Sequence, residues 1–201
     1  MKNIFIAIFA TLILFASCKI TTHVHLNKDN TGTVSIEYDY SQYLNESGGA
    51  DSTGFLDSIN ETLRKIDTLG ILKNYKVQKT EKGILVSYAF DKLDQLNGSF
   101  NKFIDGDEEF VKTAGKFSGN SKKMSYELVH VAEKLPEDEL VSSTDMDALF
   151  EWEFKVSFEQ TIKKCSNENF TISGDKHSMS QTGGLSTFKD SKKINFSVKL
   201  K

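Results

Sequence analysis

His23 and His25 stand one residue apart in this 201-residue chain, and their types and spacing could do chemistry. On one face of a strand they could ligate a metal. Zinc takes three or four ligands, and no acidic or cysteine partner is identifiable beside them. They read as exposed strand residues, and no metal site is assigned. Two Ser-x-x-Lys patterns, Ser99 to Lys102 and Ser173 to Lys176, match the opening element of serine acyl-transfer enzymes. The companion Ser-Asp-Asn and Lys-Thr-Gly elements are missing, with "KTAG" only a near miss, so no catalytic residue is assigned. Acidic runs occur at Asp105 to Glu109, in "PEDE" and in "TDMD". A calcium loop needs acidic residues at alternate positions, then a Gly, then a closing Glu; "DGDEEFVKTAGK" puts its Gly second and ends in Lys. These runs read as solvated loops. Gly-x-Ser-x-Gly, His-Glu-x-x-His, the Walker loop and the dinucleotide fingerprint are all absent, and no cofactor is expected.

Composition narrows the field further. The net charge is −3, and Arg64 is the single arginine. Bidentate recognition of phosphate favours arginine, so a nucleic-acid partner is not expected. The cysteines are Cys18 and Cys165. If Cys18 is modified, Cys165 has no intramolecular partner and reads as a lone, inert thiol rather than a nucleophile.

The start of the chain is the most specific part. Lys2 and the terminal amine precede about a dozen apolar residues, fewer than the roughly 20 that a membrane-spanning helix needs. Such a run with a positive end reads as a secretory signal, residues 1–17. It ends in "FASC", Phe15 to Cys18. This resembles the lipobox of bacterial lipoproteins: a large apolar residue, two small ones, then the cysteine that receives a diacylglycerol. Phe15 departs from the more usual Leu. The resemblance implies cleavage before Cys18 and acylation of both its thiol and its new amine. Burial contributes about 0.8 kcal/mol per methylene, so two or three chains make a near-permanent anchor where one is marginal. It also implies an address. Lys19 is not the Asp that retains lipoproteins in the inner membrane, so the expectation is the outer membrane, facing the periplasm. No acidic run follows the cysteine, as it does in some surface-exported lipoproteins.

The rest of the chain, residues 18–201, is expected to be a single α+β domain. "KITTHVHLN" alternates, with Ile20, Thr22, Val24 and Leu26 on one face and Thr21, His23 and His25 on the other. "KDNTGT" is a turn in which Asn30 and Gly32 supply positive φ, and "TVSIEYDY" returns as the second arm of a hairpin. This hairpin is similar to the opening of small lipoproteins of the Bacteroidota, and to that of some mycobacterial lipoproteins; the likeness implies no activity. "FLDSINETLRKIDTLG" has helical spacing and ends at Gly70. A second hairpin joins "NYKVQKT" to "ILVSYAF" across "EKG". "DKLDQLNGSFNKFI" reads as a second helix.

Downstream, "EFVKTAGKFSG" and "KKMSYELVHVA" can pair across "NSK". Trp152, Phe154, Val156 and Phe158 alternate with Glu151, Glu153, Lys155 and Glu159. "NFTIS" is a short strand, and Ile194, Phe196, Val198 and Leu200 fall in step near the end. Strands that bury one face and helices with one apolar stripe predict an antiparallel sheet built from hairpins, with two helices packed on one face.

The functional expectation is a membrane-anchored lipoprotein of the cell envelope, not an enzyme, that binds another envelope protein or polymer. The alternative is a carrier of a hydrophobic small molecule or lipid, for which the aromatic residues would line a pocket. An envelope hydrolase has least support.

Overall fold

The alternating segments fold as strands, and the strands divide into two sheets. A computed structural model describes residues 18–39, 41, 73–97, 112–131, 150–184, 187 and 194–201. In chain order the strands are β1 Cys18–Leu26, β2 Gly32–Asp39, β3 Lys73–Lys79, β4 Gly83–Phe90, β5 Lys112–Asn120 and β6 Lys123–Val131. They continue with β7 Phe150–Phe158, β8 Ile162–Cys165, β9 Thr171–Ile172, β10 Ser178–Gly183 and β11 Phe196–Leu200. The larger sheet has the order β3-β4-β2-β1-β7-β10-β9, and the smaller β5-β6-β11-β8.

The three expected hairpins are present as β1–β2, β3–β4 and β5–β6. In the first turn Asn30 has φ 66°, and Asp29 accepts bonds from the Thr31 amide (3.1 Å) and hydroxyl (2.7 Å). Gly32 serves differently from expectation. It has no positive φ; a Cβ there would lie 1.9 Å from the His25 carbonyl oxygen. The position demands glycine for space, where β2 closes against β1.

The expectation of an α+β domain with two helices on one face is overturned. Among the described residues the longest helical stretch is the short one at 93–97. The expected helix ending at Gly70 lies outside the described residues, as does the end of the second. Among the described residues, the apolar face of the larger sheet meets the smaller sheet around Phe154. β5, β6 and β11 each bury alternate residues, such as Phe117, Met124, Tyr126, Phe196 and Val198, and so present an apolar face of their own. Two such faces can pack on one another. The purely antiparallel expectation also fails, because β1 pairs in parallel with β7 over its whole length, from Cys18↔Phe150 to Leu26↔Phe158.

The core lies between the sheets. Val24, Leu26, Val34, Ile36, Ile84, Val86, Trp152, Phe154 and Val156 point in from the larger sheet. Full burial of such a side chain contributes about 1.5–3 kcal/mol. Phe154 spans the layers, its ring centroid 5.0 Å from Tyr126, 6.3 Å from Phe117 and 6.4 Å from Phe196. Leu96, from the helical stretch, is fully buried. The neighbouring Asn97 side chain bonds both the amide and the carbonyl of Phe117, at 2.7 and 2.9 Å. That short stretch thereby fastens the larger sheet's β4 end to β5.

Candidate functional site

The inward face is apolar, so the chemistry of the larger sheet lies on its outer face, where the pairing register sets side chains in rows. One row runs Lys76, Ser87, Ser35, His23, Lys155, Ser180 and Thr171 across seven strands. The next runs Ala89, Thr33, His25, Ser157 and Ser178. A third sets Glu37, Thr21, Glu153 and Thr182 side by side. Apart from Ala89 and Leu85 on β4, these rows are made of hydroxyls, imidazoles, amines and carboxylates.

At its centre His23 and His25 converge on Ser157. His23 Nε2 lies 2.8 Å from Ser157 Oγ, and His25 Nδ1 lies 2.9 Å from the same atom. The parallel pairing sets Ser157 beside His25 and Lys155 beside His23. Burial, then the Lys155 ammonium and His25, hold the His23 imidazole below its usual range, with Glu153 pulling the other way. His23 is therefore neutral near pH 7. One hydroxyl carries one proton, so Ser157 can donate to one ring while the other donates to it.

A hydroxyl beside a neutral imidazole is the first half of a nucleophilic pair. The second half, amides free to bind an oxyanion, is not provided by the strand that carries it. β7 lies between β1 and β10 and is paired to both, so its backbone N–H groups are committed to the ladders on either side. The arrangement suits hydrogen bonding to a polar surface.

The two histidines are thus brought together, though by a serine. No group of three or more His, Cys, Asp or Glu able to hold a metal occurs among the described residues. Ser173 and Lys176 do not form a catalytic pair. They belong to a tight turn in which the Ser173 hydroxyl donates to Asp175 and accepts from the Ser178 amide at 3.0 Å. Ser99, Lys102 and the acidic runs at 105–109, 136–139 and 144–147 lie outside the described residues. Cys165 is a free, partly buried thiol whose pKa burial pushes up, which disfavours the reactive thiolate.

Cys18 is the first residue of β1. Beside it, the Lys19 ammonium lies 2.9 Å from Glu151 Oε1 and 3.6 Å from Glu153 Oε2. The hydrogen bond to Glu151 raises the Lys19 pKa, against some desolvation. Sequence reasoning missed Ser157. Its parity on the alternating β7 segment gave its face, but the β1–β7 register that joins it to the histidines spans 132 to 134 residues.

No protein-family model matches the chain, and no curated protein does. Among solved structures it is similar to the folded domain of LppM from Mycobacterium tuberculosis, at 8% identity and a TM-score of 0.49, covering 92% of this chain and 89% of that one.

Proposed function

We propose that this protein is a lipid-anchored, non-enzymatic component of the cell envelope, attached through Cys18 to the outer membrane on its periplasmic side. Its domain binds another envelope protein or polymer through the outer face of the larger sheet. The anchor reading rests on "FASC". The binding reading is favoured over the carrier reading by one observation: Phe154, Tyr126, Phe117 and Phe196 meet ring to ring at 4.7–6.4 Å between the sheets. Aromatic side chains occupy the layer that an acyl chain would need.

Recognition through a face rather than an edge follows from the ends of the sheets. Edge strands recruit other strands unless they are short, charged or bulged. β3 carries Lys73, Lys76 and Lys79 and a register shift; β8 carries Lys163 and Lys164; β5 carries Lys112 and Lys116; β9 has two residues.

The test is photocrosslinking in intact cells, with the crosslinking residue at Thr21 or Ser35 on the larger sheet, or at Ser118 on the outside of the smaller one. Adducts to an envelope component from Thr21 and Ser35, but not from Ser118, are expected. Adducts from Ser118 alone, or from none of the three, would contradict the reading.

A further inference from the structure

We infer that the lipid on Cys18 orients the domain as well as tethering it, seating the Cys18 end of the larger sheet on the lipid headgroup layer. This rests on the proposed lipid anchor and adds a membrane-facing surface to it.

The ladder reaches the anchored residue itself. Cys18 pairs with Phe150, and Lys19 pairs with Asp39 on one side and Glu151 on the other. A flexible spacer of n residues gives a folded domain a reach of about 5–6 Å × √n. Here no residue lies between the acylated position and the central strand of a seven-stranded sheet. Neighbouring strands are about 4.8 Å apart. The start of β4, two strands from β1, therefore lies about 10 Å to the side of Cys18. The described surface at this end of the larger sheet includes Asp39, the β3–β4 turn from Lys79 to Gly83, Glu151 and Gly183.

The opposite end is held away from the membrane. β1 runs nine residues to Leu26, about 26 Å at strand rise. There the Glu159 amide bonds the Leu26 carbonyl at 3.0 Å, and the Lys201 amide bonds the Thr161 carbonyl at 3.0 Å. Gln160 bonds the Ser121 carbonyl. The turns at 27–31, 159–161 and 121–122 and the residue Lys201 thus form one distal tip.

The proposed seating does not rest on charge. Among the described residues of the larger sheet, the Cys18 end carries Lys19, Lys79 and Lys82 against Asp39, Glu81, Glu151 and Glu153, with no basic excess among them to draw anionic headgroups. The orientation comes from the covalent attachment and from the absence of slack.

The test uses the full lipidated protein with Cys165→Ser, in vesicles containing a lipid with a nitroxide on its headgroup. A thiol-reactive fluorophore is placed at Lys82→Cys or at Lys28→Cys. Intact mass of each preparation reports acylation of Cys18 separately, so an unmodified Cys18 would sink the anchor itself. With acylation established, quenching severalfold stronger at position 82 than at 28 is expected. A Gly/Ser spacer of eight residues inserted after Cys18 should bring the two together. Equal quenching without the spacer, or a difference that survives it, would overturn the inference.

Discussion

His23 Nε2 lies 2.8 Å from Ser157 Oγ across the parallel β1–β7 pair, and the burial of His23 at this place makes stability depend on pH near neutrality. Burial, Lys155 and His25 keep the folded-state pKa of His23 below its ordinary 6.5. The unfolded chain therefore takes up this proton at higher pH than the folded protein does. Stability from His23 is complete above 6.5 and is lost as pH falls from there through the folded value. Thermal unfolding should show a lower Tm at about pH 5 than at about pH 7.5, and His23→Gln should flatten that slope. Asp29 and Asp175 are held low by bonds from the Thr31 hydroxyl and the His177 amide; they lose their contribution only below about 3.8, so the windows separate. An unchanged slope in His23→Gln would contradict the assignment.

Ser157 is a structural hydrogen-bond hub for two half-buried rings. Ser157→Ala leaves both imidazoles without it, and a loss of about 1–2 kcal/mol in chemical denaturation is expected. If Ser157 were instead an activated nucleophile, a fluorophosphonate probe would label the wild-type protein and spare the alanine variant. No labelling is expected in either.

Gln181 is buried on β10, and its Oε1 has no hydrogen-bond partner. It pairs with Phe154 in the register, at the aromatic layer. An unsatisfied buried acceptor costs about 1–3 kcal/mol, so Gln181→Met should leave stability unchanged or raise it by up to about 1 kcal/mol. A loss larger than that in urea unfolding would show that the amide is satisfied by an interior water or ligand.

Gly32→Ala tests the hairpin closure. The added methyl meets the His25 carbonyl and the Phe90 ring at 1.9 and 2.6 Å, and backbone cannot give way as a side chain can. A loss of about 1–3 kcal/mol is expected, with faster amide exchange along β1–β2. An alanine variant as stable as wild type would contradict the close approach.

Much of the larger sheet was legible in the sequence, because alternation reports which side chains share a face. Val24 and Leu26, Val34 and Ile36, and Trp152 to Phe158 bury as their parity requires. Partition into two sheets was not legible. Alternation tells a strand that it has an apolar side, but not whether a helix or another sheet covers it, and Phe154 meeting Tyr126 is information held only in three dimensions. β10, "SMSQTG", escaped notice because Ser, Gln and Gly dilute its pattern to Met179 and Gln181. The His-x-His pair was visible, yet its partner was not, since one residue of slip in the long-range β1–β7 register would have turned Ser157 to the core.

The central claim is the anchor, and the intact mass of the protein extracted from its native membrane tests it most directly. The prediction is a chain beginning at Cys18, heavier by a diacylglyceryl group and an amide-linked acyl chain, with Cys18→Ala retaining its leader and lacking the lipid. A native product with a bare thiol at position 18, recovered in the aqueous fraction without detergent, would contradict the account.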